Sequence, residues 1–95
     1  EIDRGVGGAV ASAIGERLAR LAHGGQLLVV THSPQVAARG GVHYMIAKSS
    51  EGTVTKTSVT RLDAAARKEE IARMLSGAEV TDEARAQADR LLEGA

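Results

Sequence analysis

The 95 residues are 43% apolar but include no Phe or Trp and one Tyr, so any core is small and built from Ala, Val, Leu and Ile, which makes independent stability marginal. Twelve basic and twelve acidic residues cancel, which excludes the basic surface of a dedicated nucleic-acid-binding domain, and the lack of cysteine excludes a disulfide framework or a thiolate site. No apolar run approaches the ~18 residues that span a membrane, and none has the layout of a signal peptide.

The chain opens Glu1-Ile2-Asp3-Arg4-Gly5, without methionine, and reads as a cut into a longer protein. Arg4-Gly5-Val6-Gly7-Gly8 is a glycine loop. A helix follows from about Ala9 to Ala22, with Val10, Ile14, Leu18 and Leu21 at helical spacing on one stripe. His23-Gly24-Gly25 ends it, Gly24 supplying a left-handed cap. Gln26–Thr31 contains the unbroken apolar run Leu27–Val30, which reads as a strand buried on both faces, the habit of parallel sheets. Ser33 at an N-cap and Pro34 at the first helical position start a short helix to Ala38. Val42–Lys48 and Thr53–Arg61 read as strands joined by the loop Ser49–Gly52. Asp63 caps a helix to about Leu75, with Ile71, Met74 and Leu75 inward, and Gly77 stops it. Thr81, followed by Asp82 and Glu83, starts a last helix to about Glu93. With no interior linker and no repeat, residues 1–95 read as one unit of α/β class.

Chemistry concentrates at His32. The predicted strand delivers it to the carboxyl edge of a parallel sheet beside a helix N-terminus, where open α/β folds bind ligands. A titratable ring there can donate a hydrogen bond to a phosphate oxygen; the plain alternative is a histidine that only ends a strand. Glu1 and Asp3 place two carboxylates before the glycine loop. If a strand precedes them, Glu1 lies near His32 and can activate a water attacking a phosphate; otherwise they are a solvated acidic end. His23 belongs to a helix C-terminus and His43 to one face of a strand with Tyr44. The three histidines lack ligand spacing, so no structural zinc cage is expected. The glycine loop lacks the Gly-Lys-Ser/Thr ending of a phosphate loop. Lys56, Arg61, Arg67 and Lys68 read as solvated surface beside Asp63, Glu69 and Glu70.

In order, acid, glycine loop, helix, strand and Thr31-His32 resemble the C-terminal half of an ABC-type ATPase head. Three segments narrow the resemblance to the RecN family of SMC-like DNA-repair ATPases: Glu1-Ile-Asp-Arg-Gly-Val-Gly-Gly8, Val30-Thr-His-Ser-Pro-Gln-Val-Ala-Ala38 and Glu69-Glu-Ile-Ala-Arg-Met-Leu-Ser-Gly77. The resemblance implies the C-terminal lobe of a P-loop head: an incomplete, mainly parallel sheet with flanking helices, then a hairpin and two helices. It implies that Glu1 polarises the attacking water, that Asp3 belongs to the D-loop facing a second head, that His32 senses the terminal phosphate, and that Gln35 helps to hold that loop. The implied cofactors are ATP and Mg2+, bound only by the complete head. The implied partners are the N-terminal half of the same head, a second head across a nucleotide sandwich, and DNA reached through the longer protein. The setting implied is cytoplasmic and nucleoid-associated, with no membrane. The family's aspartate before the catalytic glutamate, its Walker A lysine and its signature motif have no counterpart here, so this segment alone is expected to be inactive. Two rivals are the head of another SMC- or ABC-type chromosome-organising ATPase, and a non-enzymatic interaction module whose last two helices dock a partner. A lone segment is also expected to fold poorly, with an exposed Val and Leu face.

Overall fold

The computed structural model describes residues 7–94. Helix α1 (Gly8–Leu21) is followed by the short helix α2 (Pro34–Ala37), strands β1 (Tyr44–Glu51) and β2 (Val54–Arg61), and helices α3 (Ala64–Ser76) and α4 (Asp82–Glu93). The starts of the last three helices obey local chemistry. Ser33 Oγ accepts from the Val36 N–H, Asp63 Oδ1 from the Ala66 N–H at 2.8 Å, and Thr81 Oγ1 from the Ala84 N–H at 3.1 Å, each side chain satisfying a helix donor that has no partner within the helix. Gly77, at φ 84°, ends α3 in the left-handed region that favours glycine.

The sheet departs from the expected one. Residues 26–31 take neither helix nor strand, and Leu27, Leu28 and Val30 are exposed, Leu28 at 84%. The one sheet among the described residues is the antiparallel hairpin β1–β2, in register from Tyr44 opposite Arg61 to Glu51 opposite Val54. The α/β class therefore holds in coarse form, whereas the mainly parallel sheet of a P-loop head is replaced by an antiparallel pair. An apolar run becomes a strand only when a neighbouring backbone takes up its N–H and C=O groups. A hairpin meets that demand locally, through a tight turn, while a parallel pair needs a crossover. Here the turn is Gly52-Thr53, with Gly52 at φ 62°, tighter than the loop read from the sequence.

The apolar stripe of α1 is also displaced. The helix packs against α2 through Ala11 and Gly15, both buried, and leaves Val10 and Leu21 exposed at 53% and 70%. Its neighbour is a single turn of helix, so small side chains make the contact, Ile14 and Leu18 are half-buried, and Val10 and Leu21 stay wet. The principal core lies between α3 and α4. Ile71, Ala72, Ala84 and Ala88 are buried there, Ala38 joins them from the end of α2, and Met74, Leu75, Val80, Leu91 and Leu92 pack around them. Ala84 and Ala88, one helical turn apart, let α4 approach α3 closely. Lys68–Asp89 at 2.9 Å and Arg85–Glu69 at 2.8 Å bridge the two helices at the surface, where such pairs guide alignment more than they stabilise.

Candidate functional site

The segment 31–35 is a bend tied by its own side chains. Thr31 Oγ1 accepts from the Ser33 N–H at 2.9 Å, and the Ser33 hydroxyl donates to Gln35 Oε1 at 3.0 Å. The same hydroxyl oxygen accepts from the Val36 N–H at 3.3 Å, capping α2. Pro34 fixes the first helical φ. Short polar side chains that bond to backbone two or three residues away favour turns over regular structure. His32 occupies the apex and is exposed. The position beside a helix N-terminus is as predicted; the sheet edge is not, because 26–31 forms no strand.

The Gln35 side chain meets the bend through the hydrogen bond it accepts from Ser33. Its Nε2 lies 3.5 Å from where a Cβ on Gly8 would stand, so the loop borders the first turn of α1. That turn starts at Gly7 without a side-chain cap. Glu1 and Asp3, the carboxylates assigned by resemblance, lie outside the described residues. The structure thus links Ser33 to Gln35 and sets Gln35 beside the start of α1, with His32 next to them in the bend. Its chemistry is that of a solvent-facing imidazole, a hydrogen-bond donor or acceptor, on a bend tied by Thr31, Ser33 and Gln35. Among the described residues, no three His, Asp or Glu side chains cluster to hold a metal ion.

His23 lies exposed in the turn after α1. His43 precedes β1 rather than alternating within it, and is half-buried. Burial holds its pKa below the ordinary 6.5, the positive charge of Arg67 pushes the same way, and Glu70 opposes them. Its Nδ1 is buried with no hydrogen-bond partner among the described residues. Glu70 titrates below the ordinary carboxylate value because Arg73 donates to it, with burial opposing; the Arg73 Nη2–Glu70 Oε2 distance is 2.8 Å.

These shifts set a pH dependence. A histidine kept neutral by the fold is protonated more readily in the unfolded chain, so stability is full above pH 6.5 and declines as pH falls below it. Glu70 adds stability above its ordinary value of 4.5, lost as pH falls further. Urea midpoints measured across pH should fall in two stages, and His43→Gln should remove the upper one. An unchanged upper stage in that variant would assign it elsewhere.

One residue was misread from the sequence. Arg67 is not solvated surface: it is half-buried, and its Nη2 donates to the carbonyls of Ala37 at 3.0 Å and Ala38 at 3.1 Å, and to that of Gly40. A signal was present, since Arg67 precedes Ile71 by one helical turn and so shares the inward stripe of α3.

No protein-family model matches the chain. Curated relatives do. The chain is 50% identical over 95 residues to the DNA repair protein RecN of Mycobacterium tuberculosis, covering all of this chain and 16% of that protein. It is 48% identical over 95 residues to the RecN of Streptomyces coelicolor, covering 17% of it. Against the RecN of Xylella fastidiosa it is 46% identical over 93 residues, 98% of this chain and 17% of that protein. The resemblance to RecN thus extends over nearly the whole chain, which spans about 17% of the length of these relatives.

Proposed function

We propose that this chain is part of the ATP-hydrolysing head of a RecN-type DNA-repair protein acting in double-strand-break repair and recombination. The observation that carries the reading is the identity to RecN proteins along essentially the full 95 residues, a stretch that includes Glu1, Asp3, His32 and Gln35. The bend at His32 suits the part: an exposed imidazole on a backbone tied by Ser33, Pro34 and Gln35 can present an N–H to a phosphate oxygen. ATP with Mg2+, when bound, would supply the phosphoryl group to be transferred. Within this reading Glu1 orients and polarises the attacking water, His32 holds the terminal phosphate, Gln35 keeps the bend in place, and Asp3 faces a second head. The phosphate cradle would come from another part of the same head, and DNA would be engaged by the longer protein, in the cytoplasm at the nucleoid. No helix among the described residues is long and apolar enough to cross a membrane.

The test is ATP turnover by a full-length RecN protein carrying this sequence. Glu1→Gln and His32→Ala should each lower turnover by roughly 10²-fold or more, the range for a positioned proton acceptor or charge-stabilising donor, while nucleotide binding persists. Unchanged turnover in both would sink the ATPase-head reading. The exposed β1–β2 face, with Tyr44 at 50%, Ile46 at 56% and Val59 at 63%, would then make an interaction module the better account.

A further inference from the structure

α2 has four residues, too few to be stable on its own, because helix nucleation costs more than so short a run returns. Its place must be set by what packs on it. On one side stands α1, with Gly15 against the backbone of Gln35 and Val36. On the other stands α3, whose Arg67 reaches the carbonyls of Ala37, Ala38 and Gly40 with a single nitrogen. Those carbonyls belong to the last residues of α2 and its exit turn, where a cation is favoured; that of Ala37 also accepts from the Gly40 N–H at 3.2 Å.

The bend at His32 is continuous with α2. Ser33 caps the helix, Gln35 lies within it, and Thr31 binds the Ser33 N–H. A shift of α2 therefore carries His32 with it. Arg67 in turn is anchored on the best-packed unit of the molecule, one turn before Ile71, which is 0% exposed. Its guanidinium is half-buried, and burial lowers its pKa without a carboxylate partner to offset the cost. A half-buried charge whose hydrogen bonds go to three backbone carbonyls is an expensive device for surface decoration.

We infer that Arg67 is a positioning residue for His32: by clamping the C-terminal carbonyls of α2 to α3, it fixes the phosphate-facing bend and ties it to the α3–α4 unit. This rests on the ATPase-head reading, under which His32 meets the terminal phosphate. Movement of α3–α4 would then be transmitted to the histidine through Arg67, beside the packing of Ala38 in the α3–α4 core, rather than through the exposed hairpin.

The experiment uses a full-length RecN protein carrying this sequence, with steady-state and single-turnover phosphate release measured for Arg67→Met, Arg67→Lys, His32→Ala and the double variant Arg67→Met with His32→Ala. Arg67→Met should lower kcat roughly tenfold or more, the scale of loss when a catalytic group is displaced by a fraction of an ångström to an ångström, with KM little changed. Arg67→Lys should recover part of the rate, since an ammonium group still offers donors to the carbonyls but not a planar fork. The double variant should be no slower than His32→Ala alone, because Arg67 acts only through that histidine. A wild-type kcat in Arg67→Met, or additive losses in the double variant, would overturn the inference while leaving the ATPase reading intact. Full turnover in His32→Ala would overturn the reading beneath it. If Arg67→Met fails to fold, Arg67→Lys carries the same comparison in the two histidine backgrounds: a loss of kcat that vanishes with His32→Ala supports the clamp, and an unchanged kcat or an additive loss overturns it.

Discussion

Ile71→Ala is expected to remove about 2–5 kcal/mol from the stability of the α3–α4 unit, the usual cost of deleting most of a buried aliphatic side chain and leaving its cavity. Ile71 is 0% exposed and is the one large side chain fully buried among the described residues. Its neighbours Ala72, Ala84 and Ala88 are too short to collapse into the space. Small domains are stable by only about 5–15 kcal/mol, so this one change consumes much of what holds the helices together. Ile71→Val, which removes a single methyl group, should cost only about 0.5–1.5 kcal/mol. Denaturant midpoints, with amide exchange resolved over α3 and α4, would rank the three proteins. Equal midpoints for the alanine and valine variants would mean that the core is not centred on Ile71.

The second large effect is expected at Gly15. A methyl group there would stand 3.0 Å from the Gln35 carbonyl oxygen, 3.1 Å from Arg39 Cγ and 3.2 Å from Val36 Cα. Two of these atoms are backbone and cannot rotate away. Alanine in place of glycine favours a helix interior by about 1 kcal/mol, but overpacking costs about 1–3 kcal/mol, and with backbone on the receiving side the clash wins. Gly15→Ala should therefore destabilise the α1–α2 contact despite its better helix propensity, and Gly15→Val should do so more strongly, since it forfeits the propensity gain as well. Gly25→Ala is the control: nothing lies within 4 Å of its added methyl, so its effect should stay within about 0.5 kcal/mol. A thermal melt of Gly15→Ala at or above that of the parent chain would show that the two helices have room to spare. Under the ATPase-head proposal, in which α2 carries the bend at His32, the same substitution should also slow ATP turnover by the longer protein.

What could be read in advance divides by range. Ser33, Asp63 and Thr81 were legible as caps, and Pro34 and Gly77 as a start and a stop, because each acts on backbone within a few residues. The hairpin was legible from its Thr and Val content, although its turn is tighter than the loop assigned. The face α1 would bury was legible only in part: Ile14 and Leu18 of the Val10–Leu21 stripe are half-buried, whereas contact with one turn of helix selected Ala11 and Gly15. Leu27–Val30 misled for the same reason, since strand character in an apolar run depends on a neighbouring backbone that local sequence does not specify. At the candidate site, His32 was singled out by its place after the apolar run and before Ser33-Pro34, and Gln35 by the family resemblance. Arg67 was missed because a charge beside Glu69 and Glu70 suggests solvent, while its reach to carbonyls about thirty positions away in sequence (|i−j| of 27 to 30) is a property of the fold.

The hairpin has a practical use. Apart from Met45, every residue of β1 and β2 is exposed, and the turn at Gly52-Thr53 forms the tip of the hairpin, between the bend at His32 and α3 in the chain. Lengthening such a loop costs only about 0.6 kcal/mol for each doubling, and exposed tips of small residues are where insertions are best tolerated. An epitope or a fluorescent label spliced between Gly52 and Thr53 gives a handle on this segment that leaves the clamp, the cap network and the alanine seam untouched.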